Sequence, residues 1–189
     1  TLKGGKWAPN TDYSNPQVRD LLLKEVKDMV TVYKETPGVL MFLLGNENNY
    51  GLFWRGAETE NIPVQDRQST KDAYHLYKLF NDAVKEMKAI DKNHPMAICN
   101  GDLLFLDIIA KECKDVDVLG INVYRGLSFG DMYQRVRTEY GKPVMLTEFG
   151  ADAFNTQANA EDQEYQAKCV VSNWKEIYGN AAGLGLAGN

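Results

Sequence analysis

Two glutamates each follow shortly after an apolar segment of the chain. Glu47 comes shortly after residues 39–44 in the stretch MFLLGNENNYG, and Glu148 comes shortly after residues 144–146 in VMLTEFG. Cleavage of a glycosidic bond needs one carboxylic acid to protonate the leaving oxygen and a second carboxylate to attack the anomeric carbon or activate water. If the fold brings both strand ends to one site, these two residues have the right chemistry for that reaction.

Polar side chains also follow two further apolar segments. Asn100 and Asp102 follow MAIC, and Asn122, Tyr124 and Arg125 follow VLGI. The carboxyl ends of parallel strands form the active rim of an α/β barrel and the ligand crevice of an open doubly wound sheet. The sequence therefore predicts that these residues line the same rim as the two glutamates, as candidate substrate-binding groups without assigned roles.

A long segment, residues 48–68, connects the first of these strands to the next helix. It carries Tyr50, Phe53 and Trp54. Loops of this length in a compact domain are commonly functional. These aromatic side chains are suited to gripping a ligand, and anchoring of the loop is an equally good interpretation of them.

Strands and helices alternate along the sequence, which is typical of a parallel sheet covered by helices. Ser128 is the expected cap of the fourth helix, and residues 1–16 are expected to be loop. The predicted strands are residues 39–46, 95–100, 116–124 and 143–150. The predicted helices are residues 15–35, 69–90, 103–113, 128–140 and 161–178.

The composition is that of an ordinary soluble globular protein, with 189 residues and a formal net charge of −5. The absence of a Lys/Arg cluster argues against nucleic acid and anionic membranes as partners, and no apolar run is long enough to span a bilayer. The three cysteines and two histidines do not form a metal-binding pattern. We therefore expect no cofactor, no metal and no membrane insertion.

Three segments, in order, resemble active-site segments of glycoside hydrolase family 2 and its retaining relatives with (β/α)8 barrels: GNENNYG, GINVYRG and LTEFGADAF. The resemblance extends over about residues 15–178. It implies that Glu47 is the general acid/base and Glu148 the nucleophile, that Asn46 binds the sugar 2-hydroxyl, and that Tyr124 orients the nucleophile. It also implies an oligo- or polysaccharide substrate.

The same resemblance implies a single α/β domain over residues 1–189 that is a partial TIM-type barrel, with about strands 4 to 7 and their helices. A complete barrel needs about 250 residues. The last residues, AAGLGLAGN, lack the tryptophan of the eighth strand in these families. We therefore expect a fragment, or a chain whose sheet is completed by self-association or by further barrel segments.

Three alternatives remain open from the sequence. A carbohydrate-binding barrel remnant without catalysis would keep the fold, and a transglycosylase would use the same two glutamates. A doubly wound α/β enzyme with incidental glutamates would be expected to carry a phosphate-binding loop, and the sequence contains neither common glycine-rich pattern. Polysaccharide-degrading relatives are often exported, which favours a secreted or periplasmic parent protein, but the sequence itself contains no location signal.

Overall fold

A computed structural model describes residues 2–3, 6–7, 11–55 and 63–181 of the chain. The strands in these ranges are β1 (Leu2–Lys3), β2 (Lys6–Trp7), β3 (Phe42–Leu44), β4 (Met96–Gly101), β5 (Val118–Val123), β6 (Val144–Phe149), β7 (Phe154–Asn155) and β8 (Ala160–Glu161). The α-helices are α1 (Pro16–Tyr33), α2 (Gln68–Ile90), α3 (Leu106–Glu112), α4 (Met132–Arg135) and α5 (Gln163–Asn180).

The central element is a four-stranded parallel sheet in the order β3-β4-β5-β6. Each strand is followed by a helix that returns the chain to the same end of the sheet, so strands adjacent in sequence are adjacent in space. This is the topology of consecutive units of a (β/α) barrel. The predicted alternation, the four strands and the parallel sheet are confirmed.

The hydrophobic core lies between one face of the sheet and the helices. Side chains such as Ile98 and Ile121 point from the strands toward Tyr77 and Met87 of α2, and all four are buried. The opposite face carries a glycine where three strands approach closely. A Cβ atom on Gly120 would lie 2.8 Å from the Ile98 carbonyl oxygen. The sheet therefore tolerates no side chain at that position.

Side chains cap the first turns of α1 and α5. The Asn15 side chain accepts hydrogen bonds from the backbone of Gln17 at 2.9 Å and of Val18 at 3.4 Å, and Pro16 occupies the first turn. The Asp162 side chain accepts the backbone N–H of Tyr165 at 3.0 Å. These side chains satisfy N–H groups that have no partner inside the helix.

Three boundaries differ from the sequence prediction. The prediction that Ser128 caps the fourth helix is wrong: its hydroxyl accepts the Gly130 N–H at 3.0 Å, and Gly130 has a left-handed φ of 62°, which interrupts a helix there. Strand β3 begins later than predicted, at Phe42, and ends before Gly45, whose φ of 75° turns the chain. The hairpin β1–β2 lies in a segment expected to be loop, and the hairpin β7–β8 lies where no strand was predicted.

The three cysteines, Cys99, Cys113 and Cys169, are buried free thiols. Within the described ranges, no helix has both the length and the apolar character needed to cross a membrane.

At the amino-terminal end of the sheet, a buried carboxylate closes the turn between α2 and β4. Oδ1 of Asp91 accepts the backbone N–H of Asn93 at 2.8 Å, and Oδ2 lies 2.6 Å from Nδ1 of His94. Burial raises the pKa of Asp91, but the hydrogen bonds from Asn93 and His94 outweigh burial, so that the pKa is lowered overall. The charged form of this carboxylate therefore stabilises the fold.

We predict that Asp91→Asn lowers the free energy of unfolding by about 1–3 kcal/mol at pH 7, because an amide cannot accept both sets of hydrogen bonds. A carboxylate with a lowered folded-state pKa stabilises fully above its unfolded pKa of about 3.9, and this contribution disappears as the pH falls through the folded pKa. Urea unfolding from pH 7 to pH 3 should show the gap between variant and wild type closing.

The control is the exposed Asp20, whose Asp20→Asn variant should unfold within about 0.5 kcal/mol of wild type at every pH. Equal stability of Asp91→Asn and wild type at pH 7 would contradict the prediction.

Candidate active site

Glu47 lies in a tight turn directly after β3. Its φ of 53° is in the left-handed region, which residues other than glycine rarely occupy. The Glu47 N–H donates to the carbonyl of Cys99 at 3.2 Å, and its own carbonyl accepts the N–H of Tyr50 at 3.0 Å. The turn is therefore fixed against the end of β4, and such strained conformations cluster at functional sites.

The two asparagines after Glu47 hold this turn in place. Asn49 is buried, and its side-chain amide forms two hydrogen bonds with the backbone of Gly101, at 2.8 and 2.9 Å. Oδ1 of Asn48 accepts the Asn46 N–H at 3.0 Å, and its Nδ2 donates to the Tyr13 hydroxyl at 3.2 Å. Asn48 and Asn49 thus stabilise the backbone of this turn.

Glu148 is positioned by a bulge in the pairing of β5 with β6. Ile121 pairs with Leu146, but the next residue, Asn122, pairs with Glu148, so Thr147 has no paired residue on β5. A bulge of this kind changes the direction of the side chains beside it. Glu148 is exposed at the carboxyl end of the sheet, where a ligand can reach it.

The Tyr124 hydroxyl donates a hydrogen bond to Oε2 of Glu148 at 3.0 Å. This hydrogen bond is the largest cause of the raised pKa of Tyr124, followed by burial and by the negative charges of Glu148, Glu47 and Asp152. The pKa of Cys99 is raised mainly by burial, with the charges of Glu148 and Glu47 adding to it. The charges of both carboxylates therefore affect the pKa values of the same two side chains.

A network of polar side chains lies beneath the glutamates. The Thr147 hydroxyl donates to Oδ1 of Asn122 at 2.5 Å, and Nδ2 of Asn122 donates to Oδ1 of Asn46 at 3.2 Å. The Cys99 thiol is 3.3 Å from both Oδ1 of Asn122 and Oγ1 of Thr147. Sequence analysis did not identify these contacts of Cys99, because they depend on the register between strands.

Asn100 is buried, and its side chain forms hydrogen bonds with other groups of the protein. Its Oδ1 accepts the Tyr77 hydroxyl at 2.6 Å, and its Nδ2 donates to the carbonyls of Asp102 at 2.8 Å and Leu104 at 3.1 Å. These bonds fix the turn after β4.

The side chains of Asp102 and Arg125 form an ion pair with each other. Nε and Nη2 of Arg125 contact the two carboxylate oxygens of Asp102 at 3.0 and 2.5 Å. Nη1 of Arg125 donates to the Phe129 carbonyl at 2.9 Å and to Asp131 at 3.2 Å. The pKa of Arg125 is raised, first by the hydrogen bond to Asp102. This ion pair joins the loops after β4 and β5.

A cavity of about 350 Å³ lies beside this ion pair, with Tyr50 on its wall. The ring of Tyr50 packs so closely on Gly101 that a Cβ there would collide with it. The side chains of Phe53 and Trp54, the other aromatic candidates, lie outside the residues whose side chains the structure describes. Across the described ranges, no group of three or more His, Cys, Asp or Glu residues is arranged to hold a metal ion.

Comparison with known proteins identifies one matching family. The family described as the glycosyl hydrolase catalytic core matches residues 27–176, well over half of the chain. No curated protein sequence matches significantly.

Solved structures with similar folds include three glycosidases. A β-glucuronidase from Bacteroides uniformis is 18% identical, with a TM-score of 0.70 over 94% of this chain and 21% of its own. A GH2 β-galacturonidase from Eisenbergiella tayi is 18% identical, with a TM-score of 0.60 over 90% of this chain and 29% of its own. A family 1 β-glucosidase from Thermotoga maritima is 15% identical, with a TM-score of 0.62 over 92% of this chain and 58% of its own.

The likeness confirms the predicted fold class, an α/β chain with the topology of a partial glycosidase barrel. The chain spans between about a fifth and three fifths of the lengths of these similar proteins.

We predict that Glu148→Gln lowers the pKa of Tyr124 toward its ordinary value of about 10, because the variant removes both a charged acceptor and a negative charge near the phenolate. The measurement is a pH titration of ¹³C-labelled tyrosine ring signals by NMR, with the Tyr124 signal assigned from Tyr124→Phe. Glu161→Gln, at an exposed glutamate, is the control and should leave the titration unchanged. An unchanged Tyr124 pKa in Glu148→Gln would show that the contact is absent in solution.

Proposed function

The chain belongs to the glycosyl hydrolase catalytic core family, and from that premise we propose that it carries the catalytic site of a retaining glycoside hydrolase that cleaves β-glycosidic bonds. The observation that best supports this is the hydrogen bond from Tyr124 to Glu148, at 3.0 Å, together with the charge of Glu47 acting on the same tyrosine. A nucleophile, a group that orients it and a second carboxylate are then present at one rim.

The proposed reaction is a double displacement. Glu148 attacks the anomeric carbon while Glu47 protonates the leaving oxygen, which gives a covalent glycosyl ester. Glu47 then takes a proton from water, and the resulting hydroxide displaces Glu148 from the sugar.

Asn46 is the proposed contact of the sugar 2-hydroxyl, a bond that strengthens at the transition state in glycosidases of this kind. Asn46 is exposed and immediately precedes Glu47, so both residues would contact the same sugar. The main proposed role of three further candidates is to hold the loops of the rim together: Asn100, Asp102 and Arg125.

The substrate we propose is an oligo- or polysaccharide with a β-linkage. The three similar structures are named for β-glycosides of different sugars, so the proposal is confined to the linkage. Tyr50 beside the cavity and Trp54 nearby in sequence are the proposed stacking residues.

Within the described part of the chain, β3 and β6 each pair with only one neighbouring strand. Exposed apolar side chains accompany both edges: Leu40 and Leu43 beside β3, and Trp174 and Tyr178 on α5. We propose that a second copy, or further barrel segments, cover these edges in the active protein. Activity should accordingly be measured in the full-length protein that contains this chain.

We predict that Glu148→Ala abolishes turnover of aryl β-glycosides by the full-length protein, because the variant lacks the proposed nucleophile that forms the covalent intermediate. Initial rates over a panel of aryl β-glycosides are the measurement. The matched control is Glu35→Ala, an exposed glutamate outside the site, which should retain wild-type rates. Undiminished activity in Glu148→Ala would overturn the assignment, and sugar binding without hydrolysis by the wild-type protein would favour the non-catalytic alternative.

We expect Glu47→Ala to act selectively. Loss of a general acid slows a reaction by roughly 10²–10⁴-fold. Here the loss should be largest for poor leaving groups, which need protonation, and small for dinitrophenyl glycosides, which do not. A uniform loss across leaving groups would exclude Glu47 as the acid.

The stereochemistry of the first product gives an independent check of the mechanism. ¹H NMR during early turnover should show the β-anomer of the released sugar, because two displacements retain configuration. An α-anomer would indicate inversion, which requires the two carboxyl groups to be roughly 6.5–9.5 Å apart rather than about 5–5.5 Å.

A further inference from the structure

We propose that Thr147 and Cys99 are positioning residues that fix the side-chain amide of Asn46, acting through Asn122, so that Asn46 presents its NH₂ group to the ligand. This inference rests on the proposed function for its catalytic consequence, but the arrangement itself comes from the hydrogen bonds of the site.

The chain of hydrogen bonds begins at the bulge in β6. Thr147 is the residue that the pairing of β5 with β6 leaves out, and its hydroxyl donates to Oδ1 of Asn122 at 2.5 Å. Asn122 is 1% exposed. A hydroxyl can donate or accept, but the 2.5 Å separation fits an O–H···O bond and is shorter than N–H···O bonds usually are. The oxygen of Asn122 rather than its nitrogen therefore faces β6.

The Cys99 thiol reinforces this orientation. Sγ lies 3.3 Å from Oδ1 of Asn122 and 3.5 Å from Oδ1 of Asn46. Burial is the main reason that the pKa of Cys99 is raised, so that the thiol keeps its proton and remains a donor at neutral pH. If the Asn122 amide were reversed, its NH₂ group would lie 2.5 Å from Oγ1 of Thr147, closer than N–H···O bonds usually are, and would face the thiol sulfur, which is a weak acceptor.

The orientation of Asn122 is then transmitted to Asn46. Nδ2 of Asn122 donates to Oδ1 of Asn46 at 3.2 Å. No hydrogen bond among the described residues uses Nδ2 of Asn46, and the residue is exposed. The amide of Asn46 is therefore held with its oxygen toward the protein and its NH₂ group toward the site, where it can donate to a hydroxyl oxygen of the ligand.

The arrangement links the two halves of the catalytic pair. Thr147 directly precedes Glu148, and Asn46 directly precedes Glu47. A change at Thr147 should thus affect the strand end that carries the acid/base, although Thr147 itself faces the interior network rather than the sugar.

The test compares Thr147→Val, which keeps the side-chain shape but removes the hydroxyl, with Thr147→Ser, which keeps the hydroxyl. Both are made in the full-length protein and assayed on an aryl β-glycoside and on its 2-deoxy analogue. We expect Thr147→Val to lose roughly tenfold in kcat/KM on the 2-hydroxy substrate, the effect of one hydrogen bond, mainly through kcat. Thr147→Ser should remain within about threefold of wild type.

The 2-deoxy substrate separates positioning from general damage. It lacks the hydroxyl that Asn46 would bind, so Thr147→Val and wild type should hydrolyse it at equal rates. An equal loss on both substrates, or no loss on either, would overturn the inference. Thr147→Ala serves in the same comparison if the valine variant does not fold.

A readout independent of turnover keeps this inference separate from the proposed function. The side-chain ¹⁵N–¹H signals of Asn46 and Asn122, assigned from Asn46→Ala and Asn122→Ala, should shift in Thr147→Val and hold their positions in Thr147→Ser. Shifts in this pattern without any hydrolysis would support the hydrogen-bond chain and contradict the glycosidase proposal. Unshifted amide signals in an active protein would overturn only the positioning inference.

Discussion

A single buried carboxamide, that of Asn122, requires four segments of the chain to meet. The side-chain oxygen of Asn122 accepts from Thr147 on β6 and Cys99 on β4, and its side-chain nitrogen donates to Asn46 after β3. The backbone carbonyl of Asn122 accepts the N–H of Asp102 at 2.9 Å. An amide buried without partners costs several kcal/mol. The carboxyl ends of all four parallel strands are therefore held together before any ligand is considered.

The two ends of the sheet use similar polar groups for different purposes. At the amino-terminal end the charged side chains form ion pairs with one another. Lys88 lies 2.6 Å from Asp117, which also accepts the backbone N–H of Met96 at 2.9 Å. At the carboxyl end Glu148 remains exposed and has a single hydrogen-bond donor, Tyr124, among the described residues. This division, with stability at one end and an accessible site at the other, is the general arrangement of barrel enzymes.

The sequence was sufficient for the four parallel strands, for the helices beside them and for the position of the two glutamates at strand ends, because helix periodicity and apolar strands are local signals. The sequence did not distinguish residues that stabilise the fold from residues that line the candidate site. Asn46 and Asn49 follow β3 and Asn100 lies near the end of β4, yet the first is exposed and the other two are buried against backbone groups. The bulge at Thr147 and the contacts of Cys99 depend on the register between strands, which no local pattern encodes.

The left-handed backbone of Glu47 has a consequence for engineering. Such a conformation costs a residue with a side chain roughly 1–2 kcal/mol, whereas glycine adopts it freely. A library screened for heat resistance alone would therefore enrich glycine at position 47 and discard the carboxylate. With Glu47 as the proposed general acid, any programme to make this protein more robust needs a functional screen alongside the thermal one, because the two selections favour different residues at this position.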